Sequence, residues 1–90
     1  MVDFLGSSDP NTTSIEFLLT DLDTAHTFLD VAHTSGDQEI KQRNYTNARV
    51  AYDTVTGLLS KVRPTAAQQQ AIDEKLNRLK ARLEAVGERF

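Results

Sequence analysis

Residues 65–90 read TAAQQQAIDEKLNRLKARLEAVGERF, and within them Ile72, Leu76, Leu79, Leu83, Val86 and Phe90 follow one another at intervals of four, three, four, three and four. That spacing lines the apolar side chains along one narrow face of an α-helix, whereas a half-buried strand needs alternation with period two. No window of the chain alternates in that way over a useful length. Thr65 and Gln68 stand in the Ser/Thr-x-x-Glu/Gln spacing of a capping box, whose reciprocal bonds satisfy two N–H groups that a helix start leaves orphaned. Pro64 breaks the chain just before it. The spacing predicts a helix over 65–86. Gly87 reads as a stop and Phe90 continues the apolar register, so the end of this helix stays open between the two.

The same rule extends toward the N-terminus. Tyr45, Ala48, Tyr52, Val55, Leu59 and Val62 form a second stripe, broadened by Ile40, Ala51 and Leu58. Ser35 with Gln38 gives a second box, and Gly36 breaks the chain there, so a helix is expected over 36–62. Ile15, Leu18, Leu22, Ala25, Leu29 and Ala32, widened by Leu19 and Phe28, make the first stripe. It begins at a third box, Thr13 with Glu16, and predicts a helix over 13–34. At 1.5 Å per residue the middle helix would run ~40 Å and the outer two roughly 33 Å, lengths that match in a bundle. Short connections then force sequential helices to be antiparallel. The fold expected is all-α, a three-helix up-down-up bundle over 13–90, preceded by an N-terminal tail, 1–12, whose Val2, Phe4 and Leu5 are apolar enough to dock on it. A dimer sharing these helices is the structural competitor, because narrow seams favour association.

Ninety residues make one domain with one modest core. At 39% hydrophobic and 26% charged, the chain has the composition of a globular protein rather than a disordered one. It has no cysteine, which excludes disulfides, thiolate metal sites and cysteine nucleophiles. No apolar run approaches the ~20 residues of a membrane span, and the first residues lack the pattern of a signal peptide, so a cytoplasmic location and no membrane association are expected. The net charge of -3 hides a division: residues 1–40 hold eight acids and no Lys or Arg, while all ten basic residues lie beyond. Such halves attract each other within a fold or between copies.

Tyr45-Thr-Asn-Ala48-Arg-Val-Ala-Tyr52-Asp-Thr-Val55, with Pro64 beyond, resembles the second helix of a tetratricopeptide unit through its Tyr-x2-Ala-x3-Tyr-x2-small pattern. Continued into Ile72-Asp-Glu-Lys-Leu76-Asn-Arg-Leu79-Lys-Ala-Arg-Leu83, the chain is also similar to the MIT domain, a three-helix relative, over about residues 14–86. The resemblance implies a module that binds short peptide motifs in grooves beside its third helix. Val55 stands where tetratricopeptide units favour Ala, Pro64 falls late, and no second 34-residue repeat follows, so a solenoid is ruled out.

Asp23, His26, Asp30 and His33, spaced three, four and three, put carboxylates and imidazoles on one edge of the first helix. These are metal-ligand chemistries. One helix can direct only two such neighbours at one ion, and no third His exists to complete a bundle site, so a surface charge stripe is the preferred reading and no metal or cofactor is expected. No oriented nucleophile, paired-carboxylate cleft or Gly-rich phosphate loop is present, which argues against an enzyme.

Lys75, Arg78, Arg82 and Arg89 form a basic stripe beside the third seam. Nucleic acid is disfavoured as its partner by the negative net charge and the lack of interleaved aromatics. Pairing with the acids of the first helix, or with another copy, is the expectation. Tyr45 and Tyr52, seven apart on the second seam, read as core residues with hydroxyls at the rim, or else as aromatics lining a peptide groove. Together these residues point to a small non-catalytic protein-interaction or assembly module, taking a peptide or helix between its own helices, with Tyr45, Tyr52, Lys75, Arg78 and Arg82 as the possible interaction surface. The alternative is a structural or regulatory homodimer with no other ligand.

Overall fold

The structure, a computed structural model, describes residues 10–90. It is all-α: α1 spans Pro10–Thr34, α2 Gln38–Leu58, and α3 Ala66–Ala85, with a single 3-10 turn, Leu59–Lys61, closing α2. The three run up, down and up, so α1 and α3 are parallel. α1 packs against both other helices, while α2 and α3 touch each other least. The stretch expected to dock, Val2, Phe4 and Leu5, lies outside the described residues.

The core follows from the stripes. Ile15, Leu18, Leu22, Ala25, Leu29 and Ala32 of α1 are buried, as are Ala48, Ala51 and Val55 of α2 and Ile72, Leu76, Leu79 and Leu83 of α3. Leu19, Phe28, Tyr45, Tyr52, Leu58, Leu59 and Val62 pack around them half-buried. Among the described residues no polar or charged side chain is fully buried. Apolar contacts of this kind are undirected, so orientation has to be specified at the edges of the seams. No described helix is long and apolar enough to cross a membrane.

The helix ends depart from the expected boundaries. α1 begins at Pro10 rather than at a Thr13 cap, which takes residues 10–12 out of the expected tail; proline suits a first helical turn because that turn leaves its N–H groups unpaired. The N-cap of α2 is Asp37, whose Oδ1 accepts from Glu39 N at 2.8 Å and Ile40 N at 3.2 Å. Ser35 instead accepts from Asp37 N at 3.1 Å, tightening the turn before the helix. A carboxylate placed directly at the helix start is a stronger acceptor for those N–H groups than the hydroxyl two residues earlier. The Thr65–Gln68 box forms as expected, with Gln68 N donating to Thr65 Oγ1 at 3.1 Å and Thr65 N to Gln68 Oε1 at 2.8 Å.

α2 stops as an α-helix at Leu58, four residues short of Val62, and tightens into the 3-10 turn before Val62 turns extended at φ -123°, ψ 162°. Pro64 disfavours helical backbone at Arg63, the residue before it, so the helix does not run on through the connection. α3 ends in a Schellman motif. Glu88 N donates to Leu83 O and Gly87 N to Glu84 O, both at 3.0 Å, with Gly87 at φ 98°. The helix therefore does not continue to Phe90, which returns against α2 instead.

Candidate functional site

Two surfaces carry the residues that the sequence singles out, a third lies apart from them, and the three differ in what remains open. The first is the α1/α3 edge. Lys75 Nζ donates to Asp23 Oδ1, and Arg82 Nη2 donates to Asp30 Oδ1 at 2.7 Å. Between these pairs lies His26. Its Nε2 sits 3.3 Å from Lys75 O and its Nδ1 3.0 Å from Arg82 Nη1. A carbonyl can only accept and a guanidinium can only donate, so Nε2 carries the proton and Nδ1 is bare. Burial pushes the pKa of His26 down, the nearby charges of Arg82 and Arg78 push the same way, and the bond to Lys75 O with the charge of Asp30 opposes them. His26 is thus a neutral interhelical link rather than a free ligand. The stripe Asp23, His26, Asp30 is turned onto α3, while His33 lies at the far end of the edge. Among the described residues, no group of three or more His, Cys, Asp or Glu is placed to hold a metal ion. Two of the three expected basic residues, Lys75 and Arg82, are committed to α1; Arg78 is exposed and makes no ion pair among the described residues.

The tyrosines form the second surface. Tyr52 meets the Phe90 ring edge-on, with centroids 4.8 Å apart and planes at 68°. Arg49 lies 4.1 Å over the other part of that ring, and its guanidinium reaches Asp53 at 3.1 Å, Glu88 at 3.2 Å and Arg89 O at 2.6 Å. The returning C-terminal residues therefore cover the position where an aromatic-lined groove was expected. Tyr45 borders a small hollow of about 150 Å³ with Leu29, His33, Arg82 and Val86. It is too small for more than one side chain.

The third surface, which the seams did not single out, lies on the other side of α1. Phe17, Leu18, Leu58 and Val62, with Thr13, Ser14 and Lys61, line an apolar groove of about 390 Å³ between the start of α1 and the end of α2. That volume falls inside the ~300–1,000 Å³ range of ligand pockets. No known protein family, characterised protein or solved structure matches this chain.

Phe17 is the unusual member, since it is 58% exposed although it sits beside the buried Leu18. Val50, 57% exposed, borders the next hollow along the same α1/α2 side together with Phe28 and Asp21. The side of α1 facing α3 is closed by ion pairs; the side away from it is apolar and open. The sequence signal for Phe17 was a bulky aromatic one position off the first stripe, a place where a solvent-facing helix surface normally carries polar residues.

Proposed function

We propose that this protein is a non-catalytic helical interaction module that receives an apolar segment of a protein partner in the α1/α2 groove. The observation that carries this reading is Phe17, held exposed over a 390 Å³ apolar hollow at one end of the bundle. A large aromatic left in water gains nothing for the fold, whereas covering it with a partner removes apolar surface from water at ~25 cal/mol per Å². The general class follows the resemblance of the Tyr45–Val55 pattern to MIT and tetratricopeptide modules, a likeness of spacing that no family match accompanies. Grooves beside the third helix, which that similarity implies, are narrowed here by Asp23–Lys75, Asp30–Arg82 and Phe90, so the partner is placed on the opposite side of α1. The same reading keeps the expectation of a cytoplasmic protein that is neither an enzyme nor a cofactor carrier.

Selection of displayed random peptides on the immobilised chain tests it. The enriched peptides should lose binding to Phe17→Ser and keep it with Arg78→Ala. Peptides indifferent to Phe17, or no enrichment, would remove the groove reading.

A second reading rests on Val50 and Phe17 lying on one side of the molecule. Two copies meeting through that side would bury both. Light scattering would then show a doubled mass that Val50→Ser and Phe17→Ser reduce.

A further inference from the structure

One end of the groove carries positive charge. Lys61 lines it, and Arg63 follows in a shallow adjoining hollow of about 430 Å³ bordered by Pro10, Asn11 and Ser14. Both side chains are exposed, and among the described residues neither pairs with a carboxylate. Lys75, Arg82 and Arg49, by contrast, are each drawn to an acid, while Arg78, exposed on α3, makes no ion pair among the described residues. Further along the same α1/α2 side the sign changes, because Asp21 borders the next hollow, beside Phe28 and Val50.

Resting on the groove reading above, we propose that the partner is an acidic amphipathic segment, with bulky apolar side chains seated on Phe17, Leu18, Leu58 and Val62 and carboxylates directed at Lys61 and Arg63. The apolar floor supplies the burial and the two unpaired cations supply polarity. The acidic end of the segment lies over the start of α1, and its other end, toward Asp21, is neutral or basic. A segment bearing Lys in place of its acids meets repulsion at Lys61 and Arg63. Rim charges of this kind contribute orientation and selectivity more than affinity.

The test uses the full chain and three fluorescent synthetic peptides: one with Leu and Phe on one helical face and Glu on the other, a twin with Lys for every Glu, and a third with Ser for every Leu and Phe. Anisotropy gives affinities, and backbone amide spectra give the place of binding. The acidic peptide should bind saturably and shift the signals of Phe17, Leu58, Lys61, Val62 and Arg63. The Lys twin should bind about five-fold more weakly at low salt, a gap that closes as salt rises. Lys61→Glu with Arg63→Glu should invert the order of the twins, and the Ser peptide should not bind.

Equal binding of the two twins overturns the charge assignment while leaving the groove reading in place. Shifts confined to the Arg78 edge of α3, or no binding by any peptide, overturn both. Two further results overturn the external partner. One is Phe4→Ser with Leu5→Ser moving the groove signals without peptide, which would make the chain's own first residues the occupant. The other is a doubled mass relieved by Phe17→Ser, which would make it a second copy.

Discussion

Asn11 and Arg63, fifty-two positions apart, hold each other by a reciprocal pair of hydrogen bonds: Arg63 N donates to Asn11 Oδ1 at 2.7 Å, and Asn11 Nδ2 donates to Arg63 O at 3.1 Å. A side-chain amide here does what a neighbouring strand would do, satisfying both main-chain groups of the residue before Pro64. The bond ties the start of α1 to the α2–α3 connection at the open end of the apolar groove.

Asn11→Ala removes both bonds and should lower stability by about 1 kcal/mol, the net worth of such bonds at a solvated site. Arg63→Ala should cost under ~0.5 kcal/mol, because Arg63 takes part through its main chain. Urea midpoints measure both. An Asn11→Ala midpoint equal to that of the parent chain would show that the connection holds its shape unaided.

His26 makes stability depend on pH in a defined direction. Its folded pKa lies below the ordinary 6.5, so as pH falls through 6.5 the unfolded chain takes up the proton first. Stability is complete above that value and is lost as pH drops from it toward the folded pKa. Protonation would set Nδ1–H against the Arg82 guanidinium, with the charge of Arg78 adding to the repulsion and that of Asp30 opposing it. Urea midpoints should therefore fall between pH ~7.5 and ~5.5. In His26→Gln, whose amide can still donate to Lys75 O, that part of the slope should vanish; an unchanged slope would place the titrating group elsewhere.

The paired edge should couple energetically across the two helices. Asp23→Lys with Asp30→Lys should destabilise by roughly 1–2 kcal/mol at low salt, partly restored by Lys75→Glu with Arg82→Glu, since partly exposed pairs are worth ~0.2–1 kcal/mol each. The coupling should shrink as salt rises toward ~0.5 M. Arg78→Glu, outside the pairs, should restore less than Arg82→Glu. A cycle without coupling at low salt would leave the choice of closing direction to the loops.

Two glycines should respond to the same substitution with opposite signs. A Cβ at Gly57 or at Gly87 meets no atom within 4 Å, so space does not distinguish them. Backbone does, because Gly57 is helical whereas Gly87 sits at φ 98°. Gly57→Ala should stabilise by ~0.5–1 kcal/mol, and Gly87→Ala should cost ~1–2 kcal/mol. Thermal unfolding of both variants decides it.

The seams of α1 and α3 were legible because a period of three and four is imposed by burial itself, and Leu22, Leu29, Leu79 and Leu83 could only be hidden on one face. Caps were less legible. A capping box is a three-residue coincidence, and at Ser35 the neighbouring Asp37 outcompeted it, while Thr65 had Pro64 to fix the chain extended before it. The division of charge pointed correctly to an α1/α3 edge, but it could not separate Arg82, which reaches Asp30, from Arg78, one turn away and turned outward. Tyr52 reads from its spacing as a core residue with its hydroxyl at the rim, or else as the lining of a groove, and it does pack half-buried on the core; nothing in that spacing tells that Gly87 turns Phe90 back onto it. Phe17 and Lys61 come together only through the antiparallel arrangement of α1 and α2, and neither lies on a stripe.

The sharing of α1 between two helix pairs sets the order in which the molecule comes apart. Because α2 and α3 touch each other least, detaching α3 breaks the two smaller interfaces, whereas detaching α1 breaks the largest, with α2, together with that to α3. Amide protons along α1 should accordingly be the slowest to exchange with deuterium, at the cost of global unfolding, while those of α3 leave through a cheaper partial opening. In that opened form α1 and α2 remain as a hairpin, with the groove at Phe17 intact and the acids Asp23 and Asp30 released. The apolar groove at Phe17 would thus outlive the bundle that carries it.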